Sequence, residues 1–155
     1  GSEMCIRDSL LSVVLIICSL CFALSSCTLT QSNLSDSTSK SIDIREDGNY
    51  SSKEEVAGYI HKYGKLPGNF ITKSEAKSLG WDSKKGNLWE VAPGKSIGGD
   101  RYSNYEETLP VKKGVKYFEC DINYSGGHRG AERIVYSSDG HVYYTNDHYE
   151  TFSEV

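Results

Sequence analysis

The chain has 155 residues, with 17 Lys+Arg against 21 Asp+Glu for a net charge of −4; 37% of it is hydrophobic and 25% charged. That length and balance suit one ordinary globular domain. They exclude a collagen-like, wholly disordered or polytopic membrane chain, and a strongly basic protein that binds nucleic acid through bulk charge. The residues are unevenly spread: 16 of the 17 aromatics lie at or after Tyr50, and four of the five cysteines lie at or before Cys27.

Leu10 to Leu24 is an uncharged apolar run of 15 residues. A membrane span needs about 20 residues, so the run suits a signal-peptide core better than a span. It ends in Leu24-Ser25-Ser26-Cys27, which resembles a lipobox. Residues 1–27 are therefore expected to be an export signal. Three readings stay open: a lipid on Cys27 that tethers the chain to a membrane, simple cleavage and secretion, or an uncleaved anchor. The opening Gly1 to Ser9 carries one cation and two acids, unlike the basic start of a signal peptide, and supports no inference about fold.

From Thr28 to Lys53 there are ten Ser/Thr and one aromatic in 26 residues. Such a composition buries too little apolar surface to offset the entropy of ordering, so 28–52 is expected to be a flexible linker. The module is then 53–155. It holds one cysteine, Cys120, so it has no internal disulfide and must rely on its core. Cys120 itself reads as a small buried hydrophobe.

Three helices are expected first. Val56 to Tyr63 has helical apolar spacing and ends at Gly64 and Pro67. Thr72-Lys73-Ser74-Glu75 is a capping box that opens a second helix, closed by Gly80. Asn87 to Ala92, before Pro93-Gly94, reads as a very short third. Strand patterns follow. Val115 to Ile122 alternates by two, and Arg133-Ile134-Val135-Tyr136 and His141-Val142-Tyr143-Tyr144 flank Ser137-Ser138-Asp139-Gly140, a hairpin signal. Helices first and strands later predict an α+β domain, N-terminal helices packed on a C-terminal antiparallel β-sheet.

Glu119 and Asp121 share one face of the Val115–Ile122 strand. Arg129 and Arg133 follow the Gly126-Gly127 turn, His148 follows the hairpin, and Lys73 opens the second helix. A carboxylate, an imidazole and three cations are what metal-free phosphodiester cleavage needs: one group takes a proton, another gives one, and cations hold the developing charge. Taken singly, the same residues also read as a solvated Glu, surface arginines and a loop histidine.

The order of segments along the chain decides between these. Leu66-Pro67, Ile71 to Ala76, Leu79-Gly80-Trp81, Lys85 to Leu88, Val91 to Asp100, Ser103-Asn104, Asp121 to Tyr124, Tyr136 to Asp139 and Thr145 to Phe152 together resemble the barnase-like guanyl-specific extracellular ribonucleases of bacteria, from about Val56 to Phe152. The resemblance implies the microbial ribonuclease fold and a guanyl-preferring endoribonuclease that cleaves single-stranded RNA to a 2′,3′-cyclic phosphate and then hydrolyses it. It implies Glu119 as general base, His148 as general acid, and Lys73, Arg129 and Arg133 as phosphate-binding cations. Ser103, Asn104, Tyr105 and Glu106 would form the guanine loop, Tyr102 and Tyr149 would line the base pocket, and Asp100 would be a buried acid that orients Lys73. No metal or cofactor is implied. A barstar-like intracellular inhibitor is a partner the family suggests, and the protein is expected as a monomer.

Several positions depart from the family pattern. Tyr105 stands where the family has Arg, Glu107 where it has a small residue, and His128 where it has an aromatic. Val115 replaces an Arg that pairs with the acid equivalent to Asp139, so that ion pair is expected to be missing. Gly140 replaces a bulky aromatic. The chain after Cys27 carries 16 Lys+Arg against 19 Asp+Glu, which weakens electrostatic steering of RNA. The competing readings are a non-catalytic RNA- or protein-binding module that kept the fold, and a structural lipoprotein adaptor.

Overall fold

The computed structural model describes residues 43–155. The export signal, the Cys27 site and the linker up to residue 42 lie outside the described residues.

The first helix, α1 (Lys53–Tyr63), begins where Ser52 and Glu55 cap each other reciprocally and ends at Gly64, whose φ of 67° suits a residue without a Cβ. It buries Val56, Ala57, Tyr59 and Ile60. The chain just before it corrects an expectation. Residues 43–52, read as linker, are tied to the module. Ile44 is buried, Tyr59 Oη donates to Glu46 O at 2.9 Å, and Lys62 Nζ donates to Ile44 O at 2.6 Å. Asn69 accepts from Tyr50 N at 3.2 Å and donates to Tyr50 O at 2.9 Å. Ile44 and Tyr50 supply apolar anchors that an average over a Ser/Thr-rich stretch conceals.

The short helices α2 (Lys73–Ser78) and α3 (Leu88–Val91) fall where expected, and Thr72 and Glu75 form the predicted capping box. Strands β1 (Phe70–Ile71), β2 (Ser96–Tyr102), β3 (Tyr117–Asp121), β4 (Arg133–Ser137), β5 (Val142–Thr145) and β6 (Ser153–Glu154) form one six-stranded sheet in chain order. The α+β architecture stands, with two differences. The β1–β2 pair is parallel while every other pair is antiparallel. A parallel pair needs a crossover, and the chain carrying α2 and α3 provides it. β2 was also not among the expected strands, because Gly98-Gly99 reads as a strand breaker.

Side-chain alternation gives the sheet two faces. Cys120, Ile134 and Val142 pack with Val56, Ala57 and Ile60 of α1. Tyr117, Val135 and Tyr143 lie on the other face, with Leu109. A third cluster, Ala76, Trp81, Leu88, Ala92, Ile97 and Tyr124, seats α2 and α3. Cys120 is fully buried, and burial pushes its thiol up, so it packs and does not react.

A bulge in β2 sets the site. Gly98 pairs with Cys120, yet Asp100 pairs with Glu119, so Gly99, at φ 93°, is the extra residue. The slip brings Asp100 beside Glu119. Gly98 is needed for another reason: a Cβ there would lie 2.6 Å from Cys120 Cβ and 2.8 Å from Phe70 Cδ1. Gly98→Ala should destabilise the module by about 1–3 kcal/mol through overpacking, read as a lower midpoint in chemical denaturation.

Candidate active site

The register of β3 against its neighbours places the chemistry. Asp100 pairs with Glu119, Glu119 with Val135 and Val135 with Tyr143 across four strands. One row further, Asp121 pairs with Arg133 and Arg133 with Thr145.

Glu119 is 6% exposed, so it is not the solvated carboxylate that single-residue reasoning allows. Lys73 Nζ, from the first turn of α2, donates to Glu119 Oε1. Tyr149 Oη donates to Oε2 at 2.6 Å. Burial alone would push the Glu119 carboxyl up. The hydrogen bonds from Lys73 and Tyr149, with the charges of Lys73 and Arg129, outweigh it and hold the group below the usual carboxylate range. Burial and the Glu119 hydrogen bond both push the Tyr149 phenol up, so it remains a proton donor to the carboxylate.

Asp121, 2% exposed, is the other buried acid. It takes a two-pronged contact from Arg129, Nε to Oδ2 at 2.7 Å and Nη2 to Oδ1 at 2.5 Å. Arg133 Nε lies 3.0 Å from Asp121 Oδ1 as an ion pair, but its N–H is not aimed for a hydrogen bond. Arg133 Nη1 donates to the carbonyls of Gly130 and Glu132 at 2.8 and 2.7 Å. Arg133 is thus no surface arginine.

His148 is exposed and lines two clefts. One, of about 380 Å³, is bounded by Tyr102, Ser103, Asn104, Tyr105, Glu106, His148, Tyr149 and Glu150. The other, of about 440 Å³, is bounded by Ser83, His128, Arg129, Gly130, Ala131, Arg133 and His148. In the first, Tyr102 and Tyr149 stack at 5.3 Å. Asn104 is buried, with φ 45°, and its side chain staples the loop: Nδ2 donates to Leu109 O at 2.9 Å and Oδ1 accepts from Leu109 N at 3.1 Å. That leaves the amides of Tyr105 and Glu106 without partners among the described residues.

Comparison with known proteins places the chain in a family. A family model described as ribonuclease matches residues 53–155. A ribonuclease of Bacillus pumilus is 47% identical over 134 residues, 86% of this chain and 83% of that protein. A ribonuclease of Heyndrickxia coagulans is 57% identical over 100 residues, 64% of this chain and 92% of that protein. A ribonuclease of Bacillus intermedius is 57% identical over 100 residues, which span 62% of its own length. The chain belongs to the barnase-like bacterial ribonuclease family.

Seen as a ribonuclease, the chain brings Glu119, Lys73 and Tyr149 into one hydrogen-bonded group, Arg129 and Arg133 onto a shared carboxylate, and His148 to the rim of both clefts. One expectation needs correction. Asp100 is half-buried, and its carboxylate accepts from the Lys73 backbone N–H at 2.9 Å, not from the ammonium. It fixes the start of α2, and the Lys73 side chain is left to Glu119. The ion pair between position 115 and Asp139 is absent, as expected of Val115, but Asp139 has another partner. Lys112 Nζ lies 3.1 Å from Asp139 Oδ2, because a turn at 112–115, closed by Val115 N to Lys112 O at 3.2 Å, brings that lysine alongside the hairpin. Of the departures, Tyr105 is 90% exposed and His128 is exposed on the wall of the second cleft.

Sequence reasoning missed two roles. Asp121 looked like a partner of Glu119 on one strand face, whereas it is the counter-ion of both arginines. An acid two residues from one candidate and eight from Arg129 was the available signal. Tyr149 was placed only in the base pocket, although it also holds Glu119. Asp121→Ala would leave the buried Arg133 and the half-buried Arg129 without their shared counter-ion and should cost about 3–5 kcal/mol, measured by urea unfolding.

Proposed function

We propose that this ribonuclease is a guanyl-preferring endoribonuclease that cleaves single-stranded RNA by intramolecular transesterification. The observation that carries the reading is the Glu119 carboxylate, buried yet held ionised between Lys73 and Tyr149, in a site whose second titratable group, His148, lines both clefts.

In the first step Glu119 takes the proton of a ribose 2′-OH. The freed oxygen attacks phosphorus, His148 gives a proton to the departing 5′-oxygen, and a 2′,3′-cyclic phosphate forms. Lys73, Arg129 and Arg133 stabilise charge on the phosphoryl oxygens. Hydrolysis of the cyclic product reverses the two proton roles. Since the 2′-OH is the nucleophile, DNA is inert. The 5′-side base occupies the cleft of Tyr102, Tyr149 and the 103–106 loop. There the unpartnered amides of Tyr105 and Glu106 suit a carbonyl such as guanine O6, and the Glu106 carboxylate suits the N1–H and amino group beside it. The net acidity after Cys27 predicts slower capture of RNA than in a basic homologue.

The purified protein should cleave GpA to guanosine 2′,3′-cyclic phosphate in excess EDTA, with little product from ApA or UpA. Equal cleavage of all three would overturn the base preference, and no cleavage by folded protein would overturn the enzymatic reading. Glu119→Ala should abolish turnover while RNA binding persists; loss of both together would count against a role in proton transfer.

The pH profile tests the electrostatics. Glu119 must be ionised to act, so kcat/KM should fall as pH drops through its carboxyl pKa, on a limb below the ordinary carboxylate value. Lys73→Met removes a favourable charge and a hydrogen bond, so that limb should move to higher pH.

A further inference from the structure

The His148 imidazole has no hydrogen-bond partner among the described residues; its recorded ring neighbour is Tyr149, 4.9 Å away at 52°. The group assigned to give a proton is therefore aimed by its backbone alone. That backbone is unusual. His148 has φ 58° and Tyr149 φ 76°, two consecutive non-glycine residues in the left-handed region. Each costs free energy and persists only where its surroundings enforce it.

The surroundings that do so converge on Asp147. Its carboxylate accepts from Thr145 Oγ1 at 2.7 Å, from the Thr151 amide at 2.9 Å and from Thr151 Oγ1 at 2.5 Å. Thr145 Oγ1 in turn accepts from the Tyr149 amide at 3.0 Å. Thr145 is itself fixed: it ends β5, is buried and pairs with Arg133. The Thr151 hydroxyl and amide, then the Thr145 hydroxyl, hold Asp147 down to about 2, so the clamp stays charged at any working pH. It spans both strained residues and fastens them to the strand beside the arginines. Tyr149 has two tethers of its own, the Tyr102 stack and the Glu119 hydrogen bond. His148 has neither.

We propose that Asp147 is a positioning residue for the cleavage step: it holds the 145–151 turn so that the His148 imidazolium addresses the departing 5′-oxygen. The inference rests on the general-acid reading of His148 given above. As the O2′–P bond forms and the P–O5′ bond breaks, Glu119 gains the 2′-OH proton and His148 loses its own to O5′. Asp147 exchanges no proton. A clamp that served only stability would slow every substrate alike. A clamp that aims the acid matters only where the leaving oxygen needs a proton.

The test compares GpA with guanosine 3′-(4-nitrophenyl phosphate), whose phenolate leaves without protonation. A positioned general acid is worth about 10²–10⁴-fold, and partial misplacement should forfeit part of that. Asp147→Asn should lower kcat on GpA by about 10–100-fold while KM stays within about threefold, and the aryl ester should lose less than about threefold. Thr151→Val, a milder change, should shift the ratio of the two substrates the same way. Equal losses on both substrates, or an unchanged GpA rate, would overturn the proposal. A His148→Ala control separates the two readings: if it loses no more on GpA than on the ester, the general-acid assignment fails first. If it does lose more and Asp147→Asn does not, only the positioning role fails.

Discussion

Two arginines sit against one buried carboxylate, and the site depends on that arrangement. Arg133 is buried and Arg129 half-buried, and Arg133 above all would be costly there without Asp121, since an unpaired buried charge loses more in hydration than packing returns. With Asp121 between them the group carries a net positive charge at the cleft wall. That surplus contributes to the field that keeps Glu119 ionised despite its burial. The positive surface and the ionised carboxylate beside it share one cause. An overall acidic chain can thereby present a locally cationic cleft.

The sheet converts this chemistry into geometry. A β-strand offers its side chains alternately, so one register fixes which groups meet. β3 gives Glu119 and Asp121 to the cleft and Cys120 to the core under α1. The Gly99 bulge then turns Asp100 toward the start of α2, whose first residue reaches Glu119. Each piece is ordinary alone. Their convergence comes from a few pairings between strands and one extra residue.

Much of this was legible in the sequence. The apolar spacing of residues 56–63, the Thr72–Glu75 capping box, the Asp139-Gly140 hairpin and the alternation of β3 are local signals, and they pointed to α1, α2 and strands β3 to β5. What was not legible depends on distant partners. β2 passes through two glycines, Gly98 because of its contact with Cys120 and Phe70 and Gly99 because of the bulge at positive φ. The anchoring of residues 43–52 rests on Ile44 and Tyr50, two side chains in a polar stretch. In the candidate site, the residue types pointed to proton transfer and phosphate binding, and the ordered segments pointed to the family. The partnership of Asp121 with both arginines, the double duty of Tyr149 and the pairing of Lys112 with Asp139 required the third dimension.

The strand order has a consequence for how the molecule comes into being. Strands that neighbour in sequence also neighbour in space, so each can pair with the one just made, and little of the pairing awaits a remote segment. The helix that seals the core is the exception. α1 lies at the start of the module but packs on Ile134 and Val142 near its end. The site is spread as widely, from Lys73 to Tyr149. A nascent chain therefore holds β1 to β3 and the candidate site's first residues before the last thirty or so bring Arg129, Arg133, His148 and Tyr149 to them.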